Sequence, residues 1–348
     1  MQPLGAGPLE GQVALVAGAT RGAGRGIAQE LAAAGAKVYC TGRSTRDQPA
    51  TSGRPETIEE TAELIAAAGG QAVAVRVDHT VEAEVEALAG RFQADEGRLD
   101  ILVNDIWGGD ELVAWGAPFW TQDMAAVRTL VDRAVLSHWI TARYLAPTMV
   151  AANRGLIVEV TDGENAGYRG NLLYDFLKIS AIRLAYAMAW DLARTGVTAL
   201  AVSPGFLRSE AMLERFGVAE ANWRDAAASH PDFAFSETPR YLGRAVAALA
   251  ADPDVRRKAG ASFFVGDLAD EYGFTDLDGT RPHFSRDYFA AAVAPEMAGE
   301  GKLSGQAQQY AASLYMSRHL SRVHADQARA LLGRLGWRGL GQGLQPVS

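Results

Sequence analysis

Residues 13–24 read VALVAGATRGAG, a short apolar run followed by a glycine-rich turn. Beyond the turn, Ile27, Leu31 and Ala34 recur at helical spacing, so this stretch is predicted to form a strand, a turn and a helix. Glycine permits a tight turn and lets phosphates approach the N–H groups at the helix N-terminus, where the helix dipole favours negative charge. The context favours a dinucleotide-binding turn, although such turns also occur without ligands.

The alternation of strands and helices continues along the chain. Further strands are predicted at residues 37–41, 72–77, 101–103, 156–160, 197–202 and 263–265, and helices at residues 56–68, 85–92, 124–150, 175–194 and 239–251. Short apolar strands that alternate with amphipathic helices indicate a parallel sheet covered on both faces. We therefore predict a doubly wound α/β fold, a seven-stranded sheet of the Rossmann type, for residues 10–270.

The two ends of the chain depart from this pattern. Residues 1–9 are expected to form a tail. After residue 270 come acidic turns and uneven helical stretches around residues 306–332. Residues 271–348 are therefore predicted to form a C-terminal extension outside the sheet.

Composition excludes several classes of protein. The 33 basic residues against 41 acidic ones give a net charge of −8, which disfavours binding to nucleic acid. The single cysteine, Cys40, cannot form an internal disulfide, and the N-terminus lacks the pattern of a secretory signal. No apolar stretch approaches the roughly 18 residues that span a bilayer. We expect a cytoplasmic protein with a small-molecule substrate, no membrane partner and no metal.

Two arginines bear on the choice of dinucleotide. About 20 residues after the glycine turn, where an NAD-binding chain places an acidic side chain, this sequence has Arg43. Arg43 and Arg21, within the turn, offer two guanidinium groups for a 2′-phosphate. The pattern favours NADP(H), unless both arginines are ordinary solvated side chains.

A tyrosine and a lysine share one face of a predicted helix. Tyr174 and Lys178 are four residues apart in the stretch YDFLK, so both side chains point the same way. A nearby ammonium group stabilises tyrosinate and lowers the pKa of the phenol. Tyr174 is therefore expected to exchange a proton with a carbonyl or alcohol oxygen near neutral pH.

At this point residues 10–270 resemble the short-chain dehydrogenase/reductase family. The motifs that carry the resemblance occur in the family's order: GATRGAG at 18–24, Asp78, Asn104, YDFLK at 174–178 and SPG at 203–205. The resemblance implies that Asp78 contacts the adenine, Asn104 supports the central strands and Lys178 holds the nicotinamide ribose. The implied cofactor residues are Gly18, Thr20, Arg21, Gly22, Gly24, Arg43, Asp78, Asn104, Lys178, Pro204 and Gly205.

The sequence departs from the family at the position of the catalytic serine. Alignment of the fifth strand places Asp162 there, preceded by Thr161. Because neighbouring strand residues point to opposite faces, only one of the two can face the site. Asp162 is favoured. It would act either as a protonated hydrogen-bond donor or as an ionised carboxylate that stabilises a protonated imine, unless it turns away and Thr161 orients the substrate.

Two further departures concern the fourth helix and the loop after the fourth strand. Ala134 aligns with the family's helix-bending asparagine, and His138 one turn later is a weaker candidate for proton relay. The stretch NDIWG at 104–108 replaces the usual Asn-Asn-Ala-Gly, which puts Trp107 near the expected nicotinamide position or, equally, in the core.

Taken together, these residues predict an NADP(H)-dependent oxidoreductase that moves a hydride to or from a carbonyl, alcohol or imine carbon. Tyr174 is the expected proton donor, tuned by Lys178. The candidates for the substrate pocket are Trp107, Phe206, Trp223 and Phe233. The alternative is a regulatory protein that binds NADP(H) without turnover. The long apolar fourth and fifth helices predict a homodimer or homotetramer.

Overall fold

The computed structural model describes residues 7–49, 53–163, 168–288, 290–291 and 294–298. Its centre is a sheet of seven parallel strands in the order β3-β2-β1-β4-β5-β6-β7. The strands are β1 Val13–Ala17, β2 Lys37–Gly42, β3 Gln71–Arg76, β4 Ile101–Asn104, β5 Gly155–Val160, β6 Val197–Ser203 and β7 Ser262–Phe264. The doubly wound fold predicted from the sequence is confirmed. Its strand order reverses between β1 and β4, and in such sheets the ligand crevice lies at that point, beyond the carboxyl ends of the strands.

Helices lie between the strands and after the last one. They are α1 Gly22–Ala33, α2 Ile58–Ala67, α3 Glu82–Asp95, α4 Met124–Val131, α5 Ser137–Ala151, α6 Leu172–Asp191, α7 Glu210–Arg215, α8 Pro239–Ala251, α9 Val265–Tyr272, α10 Phe284–Tyr288 and α11 Ala294–Ala298. Side-chain caps fix several starting points. The Thr57 hydroxyl accepts the Glu60 N–H at the start of α2, and Thr238 caps α8 just before Pro239.

The sheet is buried on both faces because different helices cover each face. On one face Val16 packs with Ile27 of α1 and Leu242 of α8. On the other face Leu15 packs with Phe92 of α3. Each fully buried side chain of this size contributes about 1.5–3 kcal/mol relative to exposure. This packing holds the strand ends, and the loops that leave them, in fixed positions.

The predicted helix at residues 124–150 is interrupted. Between α4 and α5, residues Asp132–Leu136 form a turn of π-helix. Ala134, predicted to align with the family's helix-bending asparagine, lies within this turn and is buried. A single wide turn of this kind is often found at functional sites.

Residues just outside the predicted domain, at both of its ends, contact it. Leu9 is fully buried and its N–H donates to the Ala34 carbonyl at 2.9 Å, so the chain joins the domain before residue 10. Asp276 of the extension is also buried and accepts both polar hydrogens of Thr238. Residues 273–288 thus pack on the domain. The helical stretch predicted around residues 306–332 lies outside the described residues.

Candidate active site

A cleft of about 460 Å³ lies at the carboxyl ends of the central strands. The glycine turn forms one wall, and Gly18 and Gly22 have φ angles of +94° and +54° that suit glycine. A Cβ on Gly24 would stand only 2.3 Å from the Gly18 carbonyl oxygen, so α1 and β1 approach too closely for any side chain there. The turn therefore presents bare backbone to the cleft at the N-terminus of α1.

The predicted cofactor residues divide into two groups. Those that line the cleft are Gly18, Thr20, Arg21, Gly22, Arg43, Asp78 and Lys178. The other four, Gly24, Asn104, Pro204 and Gly205, are not among the described residues that line it. The cleft combines a helix N-terminus with three cationic side chains in its lining, those of Arg21, Arg43 and Lys178. This chemistry fits a long ligand that carries several phosphate groups.

The arginine predicted to bind a 2′-phosphate lies beside the aspartate expected at the adenine. Arg43 is 3.6 Å from the Asp78 carboxylate, measured between Nη1 and Oδ2, and is about one-third exposed. Asp78 also accepts the N–H and the hydroxyl of Thr80. Burial opposes ionisation of Asp78, but these hydrogen bonds and the Arg43 charge lower the pKa of its carboxyl below the usual value. Arg43 is thereby held at the cleft wall.

Tyr174 and Asp162 form a direct hydrogen bond. Asn171 caps α6 by accepting the Tyr174 N–H at 3.1 Å, which places Tyr174 in the first helical turn. Its hydroxyl donates to Asp162 Oδ2 at 2.7 Å. Asp162 follows β5, and the Arg169 guanidinium donates to its backbone carbonyl. Asp162, which was predicted at the serine position, therefore faces the tyrosine as a hydrogen-bond acceptor.

The state of the Tyr174 hydroxyl differs from the sequence-based expectation. Burial, followed by the charge and hydrogen bond of Asp162, raises the pKa of Tyr174 well above its usual value. The pKa was expected to be lowered by Lys178. That ammonium lies 5.6 Å from the Tyr174 ring centre, farther away than the carboxylate that contacts the hydroxyl directly. In this structure the phenol is held in its protonated form.

Thr161 does not share the site with Asp162. It is buried, and its hydroxyl donates to the Lys178 backbone carbonyl at 2.6 Å. This bond ties the end of β5 to α6. The structure thus separates the two candidates for the serine position, because Asp162 faces Tyr174 and Thr161 faces the helix backbone.

Two tryptophans surround Tyr174. The Trp107 ring meets it edge-on at 5.7 Å between centres, and the Lys178 ammonium lies 4.5 Å from the Trp107 ring centre. Trp115 approaches from the other side at 5.0 Å. Trp107 is thus a wall of the cleft rather than a core residue, and its indole N–H donates to Asp110. The ammonium gains a cation–π contact in this position.

A buried polar chain supports this wall from behind. Glu159 of β5 is fully buried and accepts bonds from Asn104 at 2.7 Å and from His138 Nδ1 at 2.6 Å. His138 Nε2 bonds to the Ile106 carbonyl at 3.0 Å, next to Trp107. Burial lowers the pKa of His138, but the Glu159 charge and hydrogen bond outweigh it and leave that pKa raised. His138 was a weaker candidate for proton relay, and here its two ring nitrogens are bonded to Glu159 and to the Ile106 carbonyl.

The comparison with known proteins matches this geometry. A family model described as short chain dehydrogenase matches residues 12–217. The chain belongs to the short-chain dehydrogenase/reductase family. This family of oxidoreductases includes dehydrogenase/reductase SDR family member 1 of Mus musculus, to which the chain is 35% identical over 292 residues. That alignment covers 82% of this chain and 89% of the relative.

Solved structures of similar proteins share the fold of this short-chain dehydrogenase/reductase. A hydroxysteroid dehydrogenase from Escherichia coli has a TM-score of 0.58 and 26% identity, covering 74% of this chain and 95% of that one. A metagenomic short-chain oxidoreductase in complex with NADP has a TM-score of 0.55 and 25% identity, covering 74% and 97%. Among the helices described here, none has the length and apolar character to cross a membrane.

Besides Trp107, the predicted pocket aromatics of this short-chain dehydrogenase/reductase lie between β6 and α8, in residues 204–238. Phe233 is fully buried and Trp223 nearly so, in a cluster with Phe206. For Phe233 and Trp223 the pocket-wall prediction gives way to a packing role. Phe206 is only partly buried and meets Phe284 of the extension edge-on.

Several residues that shape the site were not singled out from the sequence. Glu210, at the start of α7, accepts the Gly22 N–H at 2.8 Å and lies 3.5 Å from Arg25. Asp105 lines the cleft next to Lys178, and Trp115 packs on the tyrosine. Of these three, only Asp105 was indicated by the sequence, because in NDIWG it replaces a neutral asparagine that the family usually has. The other two contacts depend on loops whose course no local pattern predicts.

Proposed function

We propose that this protein is an NADP(H)-dependent oxidoreductase that reduces or oxidises a small molecule at a carbonyl, alcohol or imine carbon. The observation that carries the proposal is that Lys178 and Trp107, both close to Tyr174, line the same cleft as the glycine turn. The NADP complex of a structural neighbour supports the cofactor. When bound, NADPH supplies the hydride.

Different residues of the chain would bind different parts of the cofactor. The N-terminus of α1 would hold the pyrophosphate, and Arg21 and Arg43 the 2′-phosphate. Lys178, fixed against Trp107, would hold the ribose at the reacting end. Trp107 shields this end from water, which strengthens the electrostatic interactions within it.

Tyr174 is proposed as the proton donor. Its raised pKa keeps the hydroxyl protonated, which is the form that a reduction needs. A substrate oxygen or nitrogen would replace Asp162 as the acceptor of this hydrogen bond. Lys178 would then stabilise the tyrosinate that remains after proton transfer.

Asp162 is proposed to select for positive charge on the substrate. In the structure its carboxylate accepts the Tyr174 hydrogen bond rather than donating one. An ionised carboxylate repels the alkoxide that develops during ketone reduction but attracts the iminium that forms when Tyr174 passes its proton to a neutral imine nitrogen. The geometry therefore favours the imine alternative over the protonated-donor alternative for this residue.

The test compares ketone and imine reduction in matched variants. NADPH oxidation is followed with a panel of ketones, aldehydes and cyclic imines for the parent, Asp162→Asn, Asp162→Ser and Asp175→Asn. Asp175 binds Arg169 nearby, so Asp175→Asn makes the same chemical change without touching Tyr174. Asp162→Asn should lose imine turnover about tenfold more than ketone turnover, corresponding to about 1.4 kcal/mol. Equal losses in Asp162→Asn and Asp175→Asn would contradict the assignment, and NADPH binding without any turnover would favour the regulatory alternative.

The proposal extends to assembly and location. Helices α5 and α6 expose large apolar side chains, among them Trp139 and Trp190, which are 61% and 68% exposed. Exposed apolar surface of this kind marks contact faces. We propose that these helices pair across a two-fold axis in a homodimer or homotetramer, and that the protein is cytoplasmic.

A further inference from the structure

Asp105 occupies an unusual place for an acidic side chain. It follows β4, its N–H donates to the Ala17 carbonyl at 2.9 Å, and its backbone runs so close to Gly18 that a Cβ there would lie 2.3 Å from the Asp105 carbonyl oxygen. Its carboxyl accepts the backbone N–H of Gly24. Asp105 thus lies at the first turn of α1, the same helix end that faces the cleft.

We propose that Asp105 takes up a proton when a dinucleotide binds in the cleft, so that cofactor affinity falls as the pH rises above neutrality. The inference rests on the proposed function only in taking NADP(H) as the ligand of the cleft. It assigns to Asp105 the role of a positioning residue that sets the charge of the site. The asparagine that the family usually has at this position has no proton to exchange.

The Asp105 carboxylate and the cofactor phosphates would compete for the same N-terminus of α1. The N–H groups in the first turn of α1 stabilise negative charge. Gly24 already donates to Asp105, and Gly22 donates to Glu210. A pyrophosphate brings two further negative charges to this turn. Since Asp105 is partly buried in the cleft wall and a bound cofactor would exclude water from it, its charged form is disfavoured once the phosphates arrive.

The groups that face Asp105 leave it close to a change of protonation. Burial raises the pKa of its carboxyl to about 7, against the opposing effects of Lys178 from α6, His138 from α5 and the Gly24 N–H from α1. His138 in turn is bonded to Glu159 of β5, which offsets its positive charge. A modest added negative potential therefore shifts Asp105 to the protonated form at neutral pH.

The first experiment measures NADPH affinity against pH by the change in cofactor fluorescence. Between about pH 7 and 9 the 2′-phosphate, whose second pKa is about 6, is already ionised and contributes no change. The dissociation constant of the parent should rise at least about fivefold over this range, which is within the tenfold per pH unit that one proton allows. In Asp105→Asn, which keeps an acceptor for the Gly24 N–H, the rise should be less than about twofold.

The second experiment needs no variant. The parent is titrated with NADPH by calorimetry at about pH 8 in two buffers of different ionisation enthalpy. The two binding heats should differ by the difference in ionisation enthalpy multiplied by the fraction of a proton taken up per site. Equal heats in both buffers, together with a pH-independent dissociation constant, would overturn the inference while leaving the cofactor assignment in place. The same rise in Asp105→Asn as in the parent would assign the proton elsewhere and also overturn it. Failure of NADPH to bind at any pH would overturn the proposed function and this inference together.

Discussion

Replacing Glu159 with glutamine should be one of the most damaging conservative changes in this protein. The Glu159 carboxylate is fully buried and accepts two hydrogen bonds, from Asn104 and from His138. A glutamine side chain has one acceptor oxygen, and its NH₂ group would face a second donor. Glu159→Gln also leaves any positive charge on His138 without its partner.

The size of the effect follows from burial. Removing one partner of a buried ionic pair costs about 3–5 kcal/mol. For a domain of this size, that loss corresponds to a fall in melting temperature of roughly 6–20 °C. The pKa of His138 is raised in the folded state, so its contribution is complete below the unfolded pKa of about 6.5. The stability gap between parent and variant should therefore be largest in mild acid and shrink as the pH rises through the folded pKa.

The assay is urea unfolding with a calorimetric melting temperature, at about pH 6 and again at about pH 9. Glu63→Gln provides the matched control because Glu63 forms an exposed pair with Arg46 and should change stability little. The double variant Glu159→Gln with His138→Asn should lose less stability than the sum of its single changes. If Glu159→Gln had the same melting temperature as the Glu63→Gln control at both pH values, Glu159 would not stabilise the fold through Asn104 and His138.

Three further predictions concern the cofactor and assembly. The parent should bind NADPH at least about tenfold more tightly than NADH, or about 1.4 kcal/mol, and Arg43→Ala should remove most of this preference; equal affinities in the parent, by titration, would contradict the assignment. Glu210→Gln removes a negative charge from the Gly22 N–H and should tighten NADPH binding about two- to fivefold, whereas an unchanged dissociation constant would show that the contact does not compete with the cofactor. Light scattering should show a dimer or tetramer that Trp139→Glu weakens, and a parent that is monomeric at every concentration would exclude pairing through α5.

Much of the fold could be predicted because its determinants are local. The apolar run before the glycine turn forms β1 as expected, and the helix that begins at Pro239 ends at Ala251 as expected. Strand and helix periodicity is read within a short window, and the alternation of the two limits the topology. The π-helical turn at residues 132–136 was not predicted, since such a turn has no sequence pattern of its own.

The candidate site was predictable where one helix carries it and unpredictable where separate loops meet. Tyr174 and Lys178 are linked by helical spacing alone. The sequence could not show that Asp162 points to Tyr174 and Thr161 to the Lys178 carbonyl, because these directions depend on how the chain leaves the strand. The high pKa of Tyr174 results from burial and from that same carboxylate, so no spacing argument could give its sign.

If this chain transfers a hydride while Tyr174 supplies the proton, a deuterium label on the cofactor must appear in the product. NADPH with both hydrogens of the reacting nicotinamide carbon replaced by deuterium is incubated with the best substrate of the panel, and the product is analysed by mass spectrometry. The product of the parent should carry one deuterium, and the rate should be at least about 100-fold lower in Tyr174→Phe while NADPH binding is retained. A product without deuterium, or full turnover in Tyr174→Phe, would contradict this mechanism.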